Sequence, residues 1–219
     1  MDKKVEIVSL GVNCLPRTIL TRGGVKPRKA DGELSCPFDL ALHKLPNIIH
    51  YLETNFEDYF SDLYFEIRKR NFLDFRKNGL WKKQDGTVFY HDKDCKAQDR
   101  DKISIRIRNR INNLYEIIYS SKPIIFVLNI VDDEKEVEKL NEILKKLCKH
   151  KKYKLAILDF YNIVNYFDKD IEILKIPLPT NDFTQNWNMQ KYRNTQLGVY
   201  VEKCICEFIR NIIKTDFSD

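Results

Sequence analysis

A chain of 219 residues with 43% hydrophobic side chains can bury a full core, and 38 basic against 32 acidic residues leave it at +6. No apolar run approaches the length of a membrane span, and the start lacks the basic and apolar regions of an export signal. Six cysteines at scattered positions then read as thiols in a reducing compartment rather than as a disulfide framework, so the expectation is a soluble, cytoplasmic protein with one domain over 1–219.

Val5, Ile7, Val8 and Leu10 form a buried-strand pattern that ends in a tight turn at Gly11-Val12-Asn13. A short helix should open at Cys14, because Asn13 is a good N-cap and Pro16 falls in the first turn, where its missing N–H costs nothing. Gly23-Gly24 supply the stop. A polar connection from Lys26 to Ser35 leads to Cys36-Pro37-Phe38-Asp39-Leu40, and a helix begins near Pro46 and runs through Leu45 to Tyr51. A second amphipathic piece, Leu52 to Phe60, ends in an aromatic cluster assigned to the core. Residues 61–80 fit neither the helical nor the strand period.

Asp85-Gly86 predicts a two-residue hairpin turn between Leu80-Trp81 and Thr87 to Tyr90. The second arm delivers His91 and Asp92 to its end, before a charged loop from Asp94 to Asp101. Ile103, Ile107, Ile111, Leu114 and Ile118 recur at helical spacing. Ile124 to Ile130 is a continuous apolar run, as expected of a strand covered on both faces. A helix from Asp132 to about Lys149, strands at Leu155 to Phe160 and Ile171 to Ile176, a loop from Pro177 to Gln190 carrying Asp182, Asn186 and Trp187, and a helix from about Lys191 to Ile213 complete the chain. Leu197, Val201, Cys204, Ile205, Phe208 and Ile212 should face inward on that last helix. Strands alternating with helices imply an α/β fold: a mainly parallel sheet flanked by helices in three layers, Rossmann-like or flavodoxin-like, with a β-hairpin insertion around 80–91. Residues 61–100 would be that insertion or an edge.

Ligands of an open parallel sheet collect where strand C-termini meet helix N-termini, which puts Cys14 on the rim. A helix start is also where a cysteine readily becomes the reactive thiolate. A cysteine nucleophile needs a base and a group to orient the base. Of the four histidines, His43 and His50 read as solvent-face or capping residues of an amphipathic helix and His150 as part of the Lys145 to Lys154 run, which leaves His91 as the base. Asp39 or Asp92 could orient it. Gly11, Asn13 and Asn129 are candidates for the oxyanion and substrate-binding positions, with the Cys14 N–H and the Asn13 amide as donors. Zinc-type cysteine pairs are absent, as are the Gly-rich nucleotide loops and the Gly-x-Ser-x-Gly elbow, so neither metal nor cofactor is expected. Two other readings stand beside a hydrolase: a non-catalytic ligand- or protein-binding module, and, less favoured, a nucleic-acid partner at Arg106 to Arg110 and the Lys145 to Lys154 run.

Ser9-Leu10-Gly11-x-Asn13-Cys14, Pro37-Phe38-Asp39, Leu52-x-x-Asn55-Phe56-x-x-Tyr59-Phe60, His91-Asp92 and Arg106-x-Arg108-x-Arg110 resemble, in order and approximate spacing, the family of putative papain-like cysteine peptidases. Leu40 stands where that family's pattern usually has Trp, and Lys93 where an aromatic residue is common. The resemblance implies a thiol hydrolase with Cys14 and His91 as its pair, acting on an amide, ester or thioester of a small-molecule, peptide or acyl substrate. Papain-like enzymes place the cysteine on a helix and the histidine on an antiparallel sheet.

Overall fold

The computed structural model describes residues 5–67, 79–92, 94–176 and 193–217. Its frame is a parallel sheet in the order β1 (Glu6–Ser9), β5 (Ile124–Asn129), β6 (Tyr153–Asp159), β7 (Ile171–Lys175). β5 and β6 are buried at every position, as central strands covered on both sides must be. Successive side chains of a strand point to opposite faces. Ile125, Val127, Ala156 and Leu158 therefore pack with α1 (Leu15–Arg22) and α5 (Gln196–Asp216). Phe126, Leu128, Leu155 and Ile157 enter the core shared with α2 (Leu45–Glu53), α3 (Arg100–Tyr119) and α4 (Glu134–Leu147). The result is three layers, helix, sheet, helix.

A second, antiparallel sheet is built from β2 (Tyr64–Glu66), β3 (Leu80–Lys82) and β4 (Val88–Phe89). The expected hairpin is thus one strand larger, with β2 supplied by the region whose period was ambiguous. Its turn is also one residue longer. Lys83 donates to the Thr87 carbonyl at 2.9 Å, which leaves Gln84, Asp85 and Gly86 as the loop, with Gly86 at φ +92°, the left-handed residue of a three-residue hairpin. A backbone bridge between Leu42 and Val88, with N–H to carbonyl distances of 2.8 and 3.0 Å, attaches this sheet to the chain leading into α2.

Two expectations are corrected. The helix ends at Glu53, because Asn55 and Phe56 have φ of +51° and +61°; Phe56 and Tyr59 are still core, reached by turns rather than by a second amphipathic helix. The inward stripe of α5 is Val201, Ile205, Ile209 and Ile212 with Cys206, while Leu197 is exposed and Cys204 only half-buried. Cys206 is drawn in by Gly23, where a Cβ would lie 2.2 Å from its Sγ. The expected loop residues Asp182, Asn186 and Trp187 lie outside the described residues. Among the described residues no helix is long and apolar enough to cross a membrane.

Candidate functional site

The turn after β1 explains its own sequence. Leu10 is fully buried and donates to the Val127 carbonyl at 2.9 Å, carrying the β1–β5 pairing one residue further. The Gly11 N–H meets Ser9 Oγ at 3.3 Å. A Cβ on Gly11 would lie 2.6 Å from both Asn129 Oδ1 and the Asn13 carbonyl, and 2.9 Å from Pro16 Cδ, so no side chain fits there. The Asn13 Oδ1 accepts the Leu15 N–H at 2.9 Å. Helix α1 therefore starts at Leu15, one residue later than expected, and Cys14 is itself the N-cap residue. Its carbonyl accepts from Thr18 N at 3.0 Å and Thr18 Oγ1 at 2.7 Å, which fixes the backbone that carries the thiol. Cys14 is half-buried.

Asn129 closes the neighbouring strand. Its Nδ2 donates to Asn13 Oδ1 at 3.0 Å, so Gly11, Asn13 and Asn129 are brought together. The residue is fully buried, yet its Oδ1 has no hydrogen-bond partner among the described residues. Ile130 follows at φ +58°, a left-handed conformation that is costly for a β-branched side chain. A strained residue and an unsatisfied amide oxygen thus sit side by side where β1 and β5 end.

Asp39 reaches the same turn from another segment. It ends a one-turn 3-10 helix, Pro37–Asp39, and is fully buried. Its Oδ2 accepts the Cys36 N–H at 2.7 Å and pairs with Arg17, one turn along α1 from Cys14. The other oxygen, Oδ1, is buried with no hydrogen-bond partner among the described residues.

The chain from Asp39 onward links the two sheets. The His43 N–H donates to the Val12 carbonyl at 2.8 Å, and Leu42 bridges Val88 in the antiparallel sense. Segment 39–43 therefore lies between the Cys14 turn and β4. From the bridge, Asp39 is three residues back and His91 three residues forward, and antiparallel chains run both toward the same end. His91 is exposed in the turn that follows β4.

Asp92, beside it, is buried and faces α3. Arg110 grips it with two nitrogens, at 2.8 and 2.7 Å, and Arg106 Nη1 approaches at 3.5 Å. Arg106 also holds Asp94 through two bonds of 2.6 Å; these bonds pull the Asp94 carboxyl well below the ordinary carboxylate range. Trp81 Nε1 donates to the Cys95 carbonyl at 3.1 Å. Arg108 lies over the Phe60 ring. Arg106 and Arg110 in this way anchor the loop after His91, while Arg108 packs on a different segment. Arginines four residues apart share one helix face, and that spacing, opposite two aspartates, was the available signal for these ion pairs.

His43 is corrected by the structure. It lies before α2, not on it, and is buried in an aromatic nest, its Nε2 2.7 Å from the Tyr59 hydroxyl. Burial pushes its pKa down to about 3, so the ring is neutral. His50, by contrast, is exposed and pairs with Asp58 at 2.8 Å. None of the six cysteines is in a disulfide. Burial raises Cys36, Cys95 and Cys206 above the ordinary thiol range and Cys148 to about 11. Cys14 and Cys204 are the two that reach the surface in part. Among the described residues no three His, Cys, Asp or Glu side chains converge as a metal site requires.

Cys14 thus stands at the start of a helix, and His91 lies in the turn that follows an antiparallel strand. No curated protein matches the chain. Residues 5–170 do match one family over their whole length, a span that takes in the Cys14 turn, Asp39, His91, Asp92, the three arginines and Asn129. The chain belongs to the family described as putative papain-like cysteine peptidase.

Proposed function

We propose that the protein is a cysteine-dependent hydrolase acting on an amide, ester or thioester, with Cys14 as nucleophile and His91 as base. The observation that carries this reading is the backbone route Val12–His43 and Leu42–Val88. The Cys14 turn and the strand leading to His91 are each one chain away from segment 39–43. Two strand spacings put the Val12 and Val88 backbones about 10 Å apart, with Cys14 two residues beyond the first and His91 three beyond the second.

In the proposed reaction the Cys14 sulfur attacks the carbonyl carbon while its proton passes to the His91 ring. The bond to the leaving group then breaks and takes that proton. Water, deprotonated by the same ring, cleaves the thioester. Asp39 is the better candidate for orienting His91, since its Oδ1 is unpartnered among the described residues whereas both Asp92 oxygens bond arginine. Asp92 then acts as a positioning residue, tying the base's neighbour to α3. Leu15 N–H and Asn129 Nδ2 both donate to the Asn13 Oδ1, and the Asn13 amide nitrogen and the Cys14 N–H are the proposed donors toward an oxyanion.

Incubation with an activated aryl ester, followed by intact-mass and peptide mapping, tests the reading. It predicts one acyl group on Cys14, none in Cys14→Ala, and strongly slowed acylation in His91→Ala. Acylation spread evenly over several thiols, or unchanged in His91→Ala, would contradict it.

A further inference from the structure

At the other end of the parallel sheet, where β6 begins and α4 and α5 end, lies a cavity of about 480 Å³. It is separated from the Cys14 rim by the length of β6, about 20 Å. Its walls come from four elements: the end of α4, the start of β6, the residues leading into β7, and the end of α5. Lysines dominate the lining, and they are not equivalent. Lys145 is matched by Asp168 at 2.5 Å. Lys154 is matched by Glu172 at 2.8 Å and Asp216 at 3.0 Å. Both are neutralised structural cations.

Among the described residues the other four have no carboxylate within salt-bridge distance. Lys151 Nζ is held by the Ile117 carbonyl at 2.9 Å, the Lys122 carbonyl at 3.1 Å and Ser120 Oγ at 3.4 Å, all neutral acceptors, and burial lowers its pKa. Lys152 donates to the Asp216 carbonyl. Lys149 and Lys169 are exposed side chains from two different segments of the lining. Against these four charges the lining offers Asp170 as its other carboxylate. Lysines at a helix C-terminus can serve the helix dipole alone, but Lys169 and Lys152 are not on α4, and a dipole role gives no reason for cations from several elements to meet at one cavity.

We infer that this cavity binds a small molecule bearing two or more phosphate groups. The lysines lining a concave space of this size, the exposed Lys149 and Lys169 among them, call for several negative charges in a compact ligand, and lysine engages phosphate as a point charge from any direction. A single carboxylate would satisfy only one of them. A nucleic-acid strand needs a track of cations along its backbone, whereas these converge on a pocket. The site is independent of the Cys14 chemistry.

Calorimetric titration with inorganic tripolyphosphate tests the inference. Saturable binding is expected at about 50 mM salt and weaker binding at about 200 mM, as screening requires. The double variant Lys149→Gln/Lys169→Gln, which alters only exposed side chains, should weaken binding by roughly tenfold or more, while Lys203→Gln on the exposed face of α5 should leave it unchanged. No saturable binding, or equal binding by the double variant, would overturn the proposal. Binding of a single-stranded RNA that tripolyphosphate does not displace would overturn it as well, by assigning the cations to nucleic acid.

Discussion

At the scale of single residues, the rim is held by positions that admit one side chain. Gly11 is the clearest. Any Cβ there meets the Asn129 amide and the Asn13 backbone well inside contact distance, so Gly11→Ala must push Asn129 away or shift the turn. Overpacking of this kind costs about 1–3 kcal/mol, and urea denaturation should show a loss of that size. His43 makes a different prediction. Its pKa is about 3 in the fold against about 6.5 in an unfolded chain. Below pH 6.5 the unfolded chain takes up a proton that the native state refuses, so its contribution to stability is complete above 6.5 and falls as the pH drops toward 3. The slope is about 1.4 kcal/mol per pH unit within that window. Between pH 7 and 5 the wild type should therefore lose about 2 kcal/mol more than His43→Leu, measured by denaturation at both pH values.

At the scale of elements, α3 is the clamp that sets where β4 ends. Asp92 is buried, and Arg110 supplies two of its bonds. Arg110→Ala would leave a buried carboxylate with only the more distant Arg106, and removing one partner of a buried pair costs about 3 kcal/mol or more. Thermal unfolding should register that loss, and Arg110→Lys should recover only part of it, because an ammonium cannot reproduce the two-nitrogen grip. The elements also show what could be read in advance. The strands at Ile124 and Leu155 were legible because a continuous apolar run bounded by turn residues is too short for a helix and too apolar for a loop. β2 was not, since three residues carry no period and its partners β3 and β4 come later in the chain. His43 was misjudged because its burial comes from Phe38, Tyr51 and Tyr59, contacts that helical spacing does not encode. On α5 the stripe was displaced because Gly23, far away in sequence, makes the room that Cys206 fills.

At the scale of the whole molecule, two sheets meet at one short segment. The parallel sheet leads into the turn with Cys14 and ends at Asn129; the antiparallel sheet leads into the turn with His91; residues 39–43 hydrogen-bond to both sides. The candidate site was legible to the extent that local sequence governs it, in the strand, turn and helix start around Cys14 and in the strand before His91. The connecting segment was not legible, because its three backbone hydrogen bonds to Val12 and Val88 join positions dozens of residues apart. The charge pattern likewise resolves only in three dimensions, into Arg106 and Arg110 of α3 paired with Asp92 and Asp94, and lysines gathered at the far end of the sheet.

The central claim is that Cys14 and His91 act together, and the rate of thiol alkylation measures it most directly. With iodoacetamide at neutral pH, peptide mapping should show Cys14 modified at least about tenfold faster than Cys204, the other thiol that partly reaches the surface, and His91→Ala should slow Cys14 while leaving Cys204 as it was. Equal rates at the two cysteines, with no response at Cys14 to the loss of the imidazole, would contradict the account.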